Sequence, residues 1–267
     1  MSRSETEPYD VLAVGYDAVM DHVDYEQWAA YVYRLLKRHG DGVERVVELG
    51  GGTGTFALRL QRRGGYDYLL TDRSEAMLEQ ARAKIDEAGA PIRCEQAAFT
   101  GVTLEALGID APVDAVVLTY DGLNYLLDPD AVAALFDRAA ALLRPGGVFV
   151  FDQSTPANSE DNASGFVDEG TAGTFSYVRE SGYDPATHRH VTTFDLSVDG
   201  ERVRERHVQR AYTPDEILTL LHASPLSVEA AYDGFSSDPA HPRSHRVHWV
   251  ARRTASDDPR GSSDESA

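Results

Sequence analysis

Cysteine, lysine and long apolar runs are what this 267-residue chain has least of. Cys94 is its only cysteine, so no internal disulfide can form and no cysteine-rich zinc site can be built, a usage that suits a reducing cytoplasm. Lys37 and Lys84 are the only lysines among 25 basic residues, and 44 acidic residues leave a formal net charge of −19. A chain of that sign is a poor partner for a phosphate backbone, which argues against nucleic acid. A dense carboxylate shell with little lysine keeps a protein soluble where salt screens its charges, so the balance is assigned to the solvent; the alternative is an acidic functional face. No segment approaches roughly 18 consecutive apolar residues. Residues 1–8 are polar and acidic without an apolar core, so secretion and membrane spanning are both disfavoured and a cytoplasmic location is expected.

What is present suits a globular chain: 42% hydrophobic and 9% aromatic residues are enough for a core. Residues 1–8 are expected to be a disordered lead and 253–267 a disordered acidic tail, leaving 9–252 as one domain. Asp24 with Gln27 marks a helix start, and Trp28, Tyr31, Val32, Leu35 and Leu36 fall on one stripe, so 9–40 is expected to be a helical segment that covers the edge of the core. Strands are predicted over 43–49, 66–71, 92–97, 113–120 and 148–152, with helices over 55–63, 74–88 and 129–143 between them. That alternation requires crossovers and a largely parallel sheet covered on both faces. Residues 153–172 are polar and irregular. Strand-like runs over 173–181, 188–198 and 202–212 then define an antiparallel flap, 171–212, with Asp199-Gly200 as one hairpin turn. Thr213, Pro214 and Glu216 form a capping box for a helix through His222, and strands near 226–232 and 245–252 complete the sheet.

The most informative segment is Val46-Val47-Glu48-Leu49-Gly50-Gly51-Gly52-Thr53-Gly54-Thr55. In an open parallel sheet the first strand-to-helix turn is where glycines let backbone approach a cofactor. A dinucleotide fingerprint starting at Gly50 needs glycine where Thr55 stands, and no Gly-Lys-Ser/Thr follows for a phosphate loop. What remains is an acidic residue at the strand end and G-x-G-x-G. This closely resembles the first motif of class I S-adenosylmethionine-dependent methyltransferases. Two further segments are similar to that family: Asp72 in Leu70-Thr71-Asp72-Arg73-Ser74, and Leu142-Leu143-Arg144-Pro145-Gly146-Gly147.

The resemblance implies an α/β fold: a doubly wound, Rossmann-like seven-stranded methyltransferase sheet with the antiparallel flap inserted after the fifth strand. It implies S-adenosyl-L-methionine as cofactor, with Glu48, Gly50, Gly52 and Gly54 at its amino-acid and ribose portions and Asp72 accepting from the ribose hydroxyls. The family's usual Asp after the third strand is replaced in Gln96-Ala97-Ala98-Phe99. Adenine is therefore left to backbone near Ala98, to Glu95 or Gln96, or to packing by Phe99 and Met77. The lid segment Tyr16–Trp28, Asp121-Gly122-Leu123-Asn124-Tyr125-Leu126 and Arg206-His207-x-x-Arg210-x-Tyr212 resemble a group of small-molecule methyltransferases, similar in layout to amino-sugar N,N-dimethyltransferases and glycine or sarcosine N-methyltransferases.

Methyl transfer needs chiefly alignment and removal of water, with a base where an amine or hydroxyl must lose a proton. Tyr16 and Tyr120 are candidates for the methyl-transfer channel, the alternative for both being packing. Asp121 is assigned to the cofactor's methionine end or the acceptor, and Asn124 and Arg210 to the acceptor. His207 is either a general base or an exposed strand histidine. The pairs His188 with His190 and His245 with His248 lack a third ligand at a recognisable spacing, so no metal is expected. The expected partner is a small-molecule acceptor, and the flap offers a surface for a homodimer. Alternatives are a non-catalytic S-adenosylmethionine-binding protein and an RNA or protein methyltransferase.

Overall fold

The computed structural model describes residues 4–162 and 165–254; residues 1–3 of the expected lead and 255–267 of the expected tail lie outside the described residues. The chain opens with β1 (Ser4–Thr6) and passes through a 3-10 turn (Leu12–Gly15) into α1 (Tyr16–Val19). The next helix, α2 (Tyr25–His39), starts at the expected cap, with Asp24 Oδ1 accepting from the Gln27 N–H at 2.8 Å, and it buries the predicted stripe. There follow β2 (Arg45–Leu49), α3 (Thr55–Gly64), β3 (Asp67–Asp72), α4 (Glu75–Ala88), β4 (Ile92–Gln96), β5 (Val113–Leu118), α5 (Pro129–Leu142) and β6 (Leu143–Ser154). Ser74 caps α4 by accepting from the Met77 N–H, and Pro129 opens α5, as their residue types dictate. The five strands β2 to β6 pair in parallel.

Beyond β6 come α6 (Pro156–Asn162), β7 (Phe166–Ala172), β8 (Phe175–Asp184), β9 (Arg189–Val198), β10 (Glu201–Arg210), α7 (Pro214–His222), β11 (Leu226–Asp233) and β12 (Arg246–Arg253). The main sheet has seven strands in the order β11-β12-β6-β5-β2-β3-β4, and a second sheet has the order β1-β10-β9-β8-β7. The Thr213–Glu216 capping box is complete in both directions.

The second sheet is larger than the three-stranded flap expected from sequence. Residues 153–172, expected to be irregular, hold α6 and β7. The β7 sequence Phe-Val-Asp-Glu-Gly-Thr-Ala carries no clean alternation because it is an edge strand with much of both faces exposed, held by pairing with β8. Ser4–Thr6 belongs to the stretch expected to be disordered, yet it pairs in parallel with β10, placing Thr6 opposite Glu205. Three residues are too few for periodicity to reveal.

Alternation along the buried strands divides the core. Val47, Leu49, Val116 and Leu118 face α5 through Leu135 and Phe136. Val46, Tyr68, Leu70 and Val117 face α2, α3 and α4 through Trp28, Leu60 and Leu78. A third cluster joins the lid to the flap: Leu12, Val19 and Met20 pack on Phe175, Phe194 and Leu196. Each such side chain contributes roughly 1.5–3 kcal/mol when fully buried, so the lid has its own docking surface. Gly15 makes the approach close, since a Cβ there would lie 2.2 Å from the Phe175 ring.

Candidate active site

The carboxyl ends of β2, β3, β4 and β5 open onto a cavity of about 300 Å³. Gly50 and Gly52 form its floor, both in the left-handed region, with φ of 63° and 55°. A Cβ at Gly50 would press on the Phe99 ring at 2.9 Å, whereas one at Gly52 would meet nothing within 4 Å. Gly52 thus leaves a cradle open beside Asp72. The Asp72 carboxylate accepts from the Gly52 N–H through Oδ2 and from the Ser74 N–H through Oδ1, both at 2.9 Å. A carboxylate oxygen has two lone pairs, so each retains one for a vicinal diol. Burial pushes the Asp72 pKa up, against its backbone hydrogen bonds and the charge of Arg73. Met77, Ala98 and Phe99 also line this cavity, bringing together most of the residues expected at the cofactor.

A second cavity, of about 340 Å³, lies between the lid and the flap. Its flap wall includes Arg179, Ser181, His190, Thr192, His207 and Gln209. Tyr9, Tyr16, Tyr120 and Tyr125 line both cavities and so form their common boundary. Tyr9, Tyr120 and Asp121 all have positive φ, at 73°, 61° and 63°. Bulky residues pay about 1–3 kcal/mol for that conformation, and such strain gathers where side chains must be aimed at a site. Burial raises the pKa of all four phenols, so Tyr16 and Tyr120 are neutral hydrogen-bonding groups rather than phenolate bases. His207 is 3% exposed, with Nδ1 3.0 Å from the Tyr125 hydroxyl and Nε2 3.2 Å from Glu205. The exposed-strand alternative for His207 is therefore excluded.

Four expected site residues lie elsewhere. Glu48 lines neither cavity: it is buried beneath the loop, accepts from the Tyr68 hydroxyl at 2.8 Å, and has its pKa pushed up to about 8 by burial. Gly54 caps α3 and packs against Ala81 of α4. Asn124 spends its amide on backbone, donating to Ser154 O and Arg210 O and accepting from the Ser154 N–H, so it clips the turn after β5 to β6 and β10. Arg210 turns away toward Glu216, at 2.7 Å, and stacks over Tyr212. Asp121 lines the lid–flap cavity rather than the glycine-loop cavity. Of the histidine pairs, His190 meets Ser159, His245 meets Asp161, and His248 Nδ1 lies against Gly234 O.

Sequence reasoning missed Tyr9, Tyr125 and the ion cluster beneath Tyr120. Arg246 bridges Asp121 and the fully buried Asp152, with its guanidinium 5.0 Å from the Trp28 ring and 5.7 Å from that of Tyr120. Burial pushes the Asp152 carboxyl up to about 7 against the pull of Arg246, and drives His248 down to about 3 with Arg246 adding to the fall. The available signal was a charge at the end of an apolar strand, which demands a partner. Arg246→Ala leaves two carboxylates without their cation. It is expected to cost about 3–5 kcal/mol in urea unfolding at alkaline pH, where protonation of Asp152 offsets less of the loss. A loss below about 1 kcal/mol, the surface-pair range, would show that the cluster does not hold β12 to the β5 turn.

Comparison with known proteins agrees with this architecture. A family profile for the methyltransferase domain matches residues 46–147. A Geobacillus sp. (strain WCH70) protein named as a methyltransferase is 30% identical over 254 residues, spanning 92% of this chain and 99% of the relative. The chain belongs to the class I methyltransferase family, enzymes whose methyl donor is S-adenosylmethionine. The solved structure of an S-adenosylmethionine-dependent methyltransferase from Clostridium acetobutylicum superposes with a TM-score of 0.76 at 20% identity, covering 91% of this chain and 97% of that one. An S-adenosylmethionine-bound amino pentose methyltransferase from Micromonospora echinaspora gives 0.67 at 20% identity, covering 90% and 96%.

Proposed function

We propose that this enzyme methylates a nitrogen or oxygen nucleophile of a small polar acceptor held between lid and flap. The observation that carries the reading is the shared tyrosine boundary: a glycine-loop cavity and a polar cavity meet at Tyr9, Tyr16, Tyr120 and Tyr125. The glycine-loop residues fit the donor, because Gly52 leaves open space and Asp72 retains acceptor capacity on both oxygens. When bound, S-adenosylmethionine supplies a methyl group on a positively charged sulfur, which keeps the bonding pair as the acceptor's lone pair takes the carbon.

The chain's own contribution is placement and exclusion of water. Neutral phenols at the boundary orient the acceptor without competing as nucleophiles. A carboxylate can only accept, so in the neutral His207 ring Nε2 carries the proton toward Glu205 and Nδ1 accepts from Tyr125. The Tyr9 and Tyr125 hydroxyls are themselves hydrogen-bonded, so a proton leaving the acceptor passes along them to Nδ1. The fold shared with an amino pentose methyltransferase supports a polar, hydroxylated acceptor. The test is release of S-adenosylhomocysteine on incubation with amines, amino sugars and polyols. Acceptor-dependent release is expected from at least one class, and stimulation by protein or RNA alone would overturn the small-acceptor reading.

A further inference from the structure

Glu205 is a fully buried carboxylate in β10 that lines neither cavity. Its oxygens are taken up by one stretch of lid and by His207. Oε1 accepts from the Val11 N–H at 2.7 Å and the Leu12 N–H at 2.9 Å. Oε2 accepts from the Tyr9 N–H at 2.8 Å and faces His207 Nε2 at 3.2 Å. The remaining links close a circuit: His207 Nδ1 meets the Tyr125 hydroxyl, which meets the hydroxyl of Tyr9, whose own amide returns to Glu205. The N–H groups of Leu12, which opens the 3-10 turn, and of Val11 and Tyr9 just before it are thereby satisfied by a buried carboxylate rather than by water.

On the donor side Ser74 Oγ, at the cap of α4, donates to Tyr9 O at 3.1 Å, and the lid has a further tether of different character. Asp17 of α1 accepts from Thr53 of the glycine loop at 2.7 Å and pairs with Lys84 of α4. Asp17 is 50% exposed, whereas Glu205 is 0% exposed. Salt and water weaken the exposed tether and leave the buried one intact. The lid is therefore bound more firmly to the flap than to the glycine loop.

From this geometry we infer that Glu205 is a positioning residue for methyl transfer: it fastens the lid to the flap, so that both move as one cover, and it aims Tyr9, Tyr125 and His207 at the boundary of the two cavities. The inference rests on the proposed use of those cavities. Glu205→Gln keeps the shape but must set an NH2 group against either Tyr9 or the Val11 and Leu12 amides. In the full-length variant, the release rate of S-adenosylhomocysteine, read by stopped-flow fluorescence, is expected to rise about tenfold. Hydrogen exchange at Tyr9, Val11 and Leu12 is expected to accelerate with it. A purely structural residue would lower the melting temperature without changing release from the folded protein. Release at the wild-type rate, with or without faster exchange, overturns the inference while leaving the methyltransferase reading standing; failure of wild type to bind the ligand is failure of that reading instead. If the variant does not fold, wild-type exchange decides: protected Tyr9, Val11 and Leu12 amides uphold the latch, and exchange at the unprotected rate refutes it.

Discussion

Asp72→Asn is expected to raise the dissociation constant for S-adenosylhomocysteine by about 100-fold, the cost of losing roughly 3 kcal/mol of charge-assisted hydrogen bonding. Both carboxylate oxygens already serve the protein, one on Gly52 and one on Ser74, and both keep a lone pair for the ribose. An asparagine supplies only one acceptor oxygen, so its NH2 group must face a backbone N–H, and one half of the diol site is lost. The pH dependence gives an independent signature. Burial raises the Asp72 pKa, and the ionised form is the one that accepts two hydroxyls. Wild-type affinity should therefore fall as pH drops from neutrality toward the carboxylate range, and the asparagine variant should lack that fall. Titration calorimetry across this range is the check; a change in affinity within about threefold would remove Asp72 from the ribose site.

The second large effect concerns stability. Glu48 has its pKa pushed from the usual carboxylate range up to about 8, chiefly by burial under the glycine loop. The folded state therefore holds a proton that the unfolded chain releases at lower pH. Its stabilising contribution is complete below the unfolded pKa, near 4.5, and is lost as pH rises through about 8. At about 1.4 kcal/mol per unit, the swing is of order 5 kcal/mol. Glu48→Gln keeps an acceptor for the Tyr68 hydroxyl and cannot ionise. The variant should match wild type in acid and exceed it in alkaline buffer, as read from urea unfolding across the pH range. Parallel curves for the two proteins would mean that Glu48 is ionised in the folded state at neutral pH. The same residue was expected at the cofactor; its place beneath the loop makes it a support for the floor of the cavity.

Much of the cofactor site was legible because its chemistry is local. The glycine turn follows β2 and Asp72 ends β3, each strand announced by its apolar run, and the parallel register of β2 with β3 brings the two ends together. The lid–flap cavity was less legible because its parts meet only through tertiary structure. Arg246 and Asp152 are joined by the antiparallel register of β12 with β6, and Glu205 meets Tyr9 from the far side of the chain. Asn124 and Arg210 stand in recognisable segments, yet a turn and a strand face decide that they serve the backbone and α7. The edge strands β7 and β1 escaped notice because pairing with neighbours, rather than their own apolar pattern, holds them in place.

The most direct test of the whole account is a crystal structure of the full chain with S-adenosylhomocysteine bound. The ribose should sit on Asp72, the adenine beside Met77 and Phe99, and the sulfur should face the tyrosine boundary with the lid–flap cavity beyond it. A ligand bound outside the glycine-loop cavity, or a sulfur turned away from Tyr16 and Tyr120, would contradict the assignment of the two cavities to donor and acceptor.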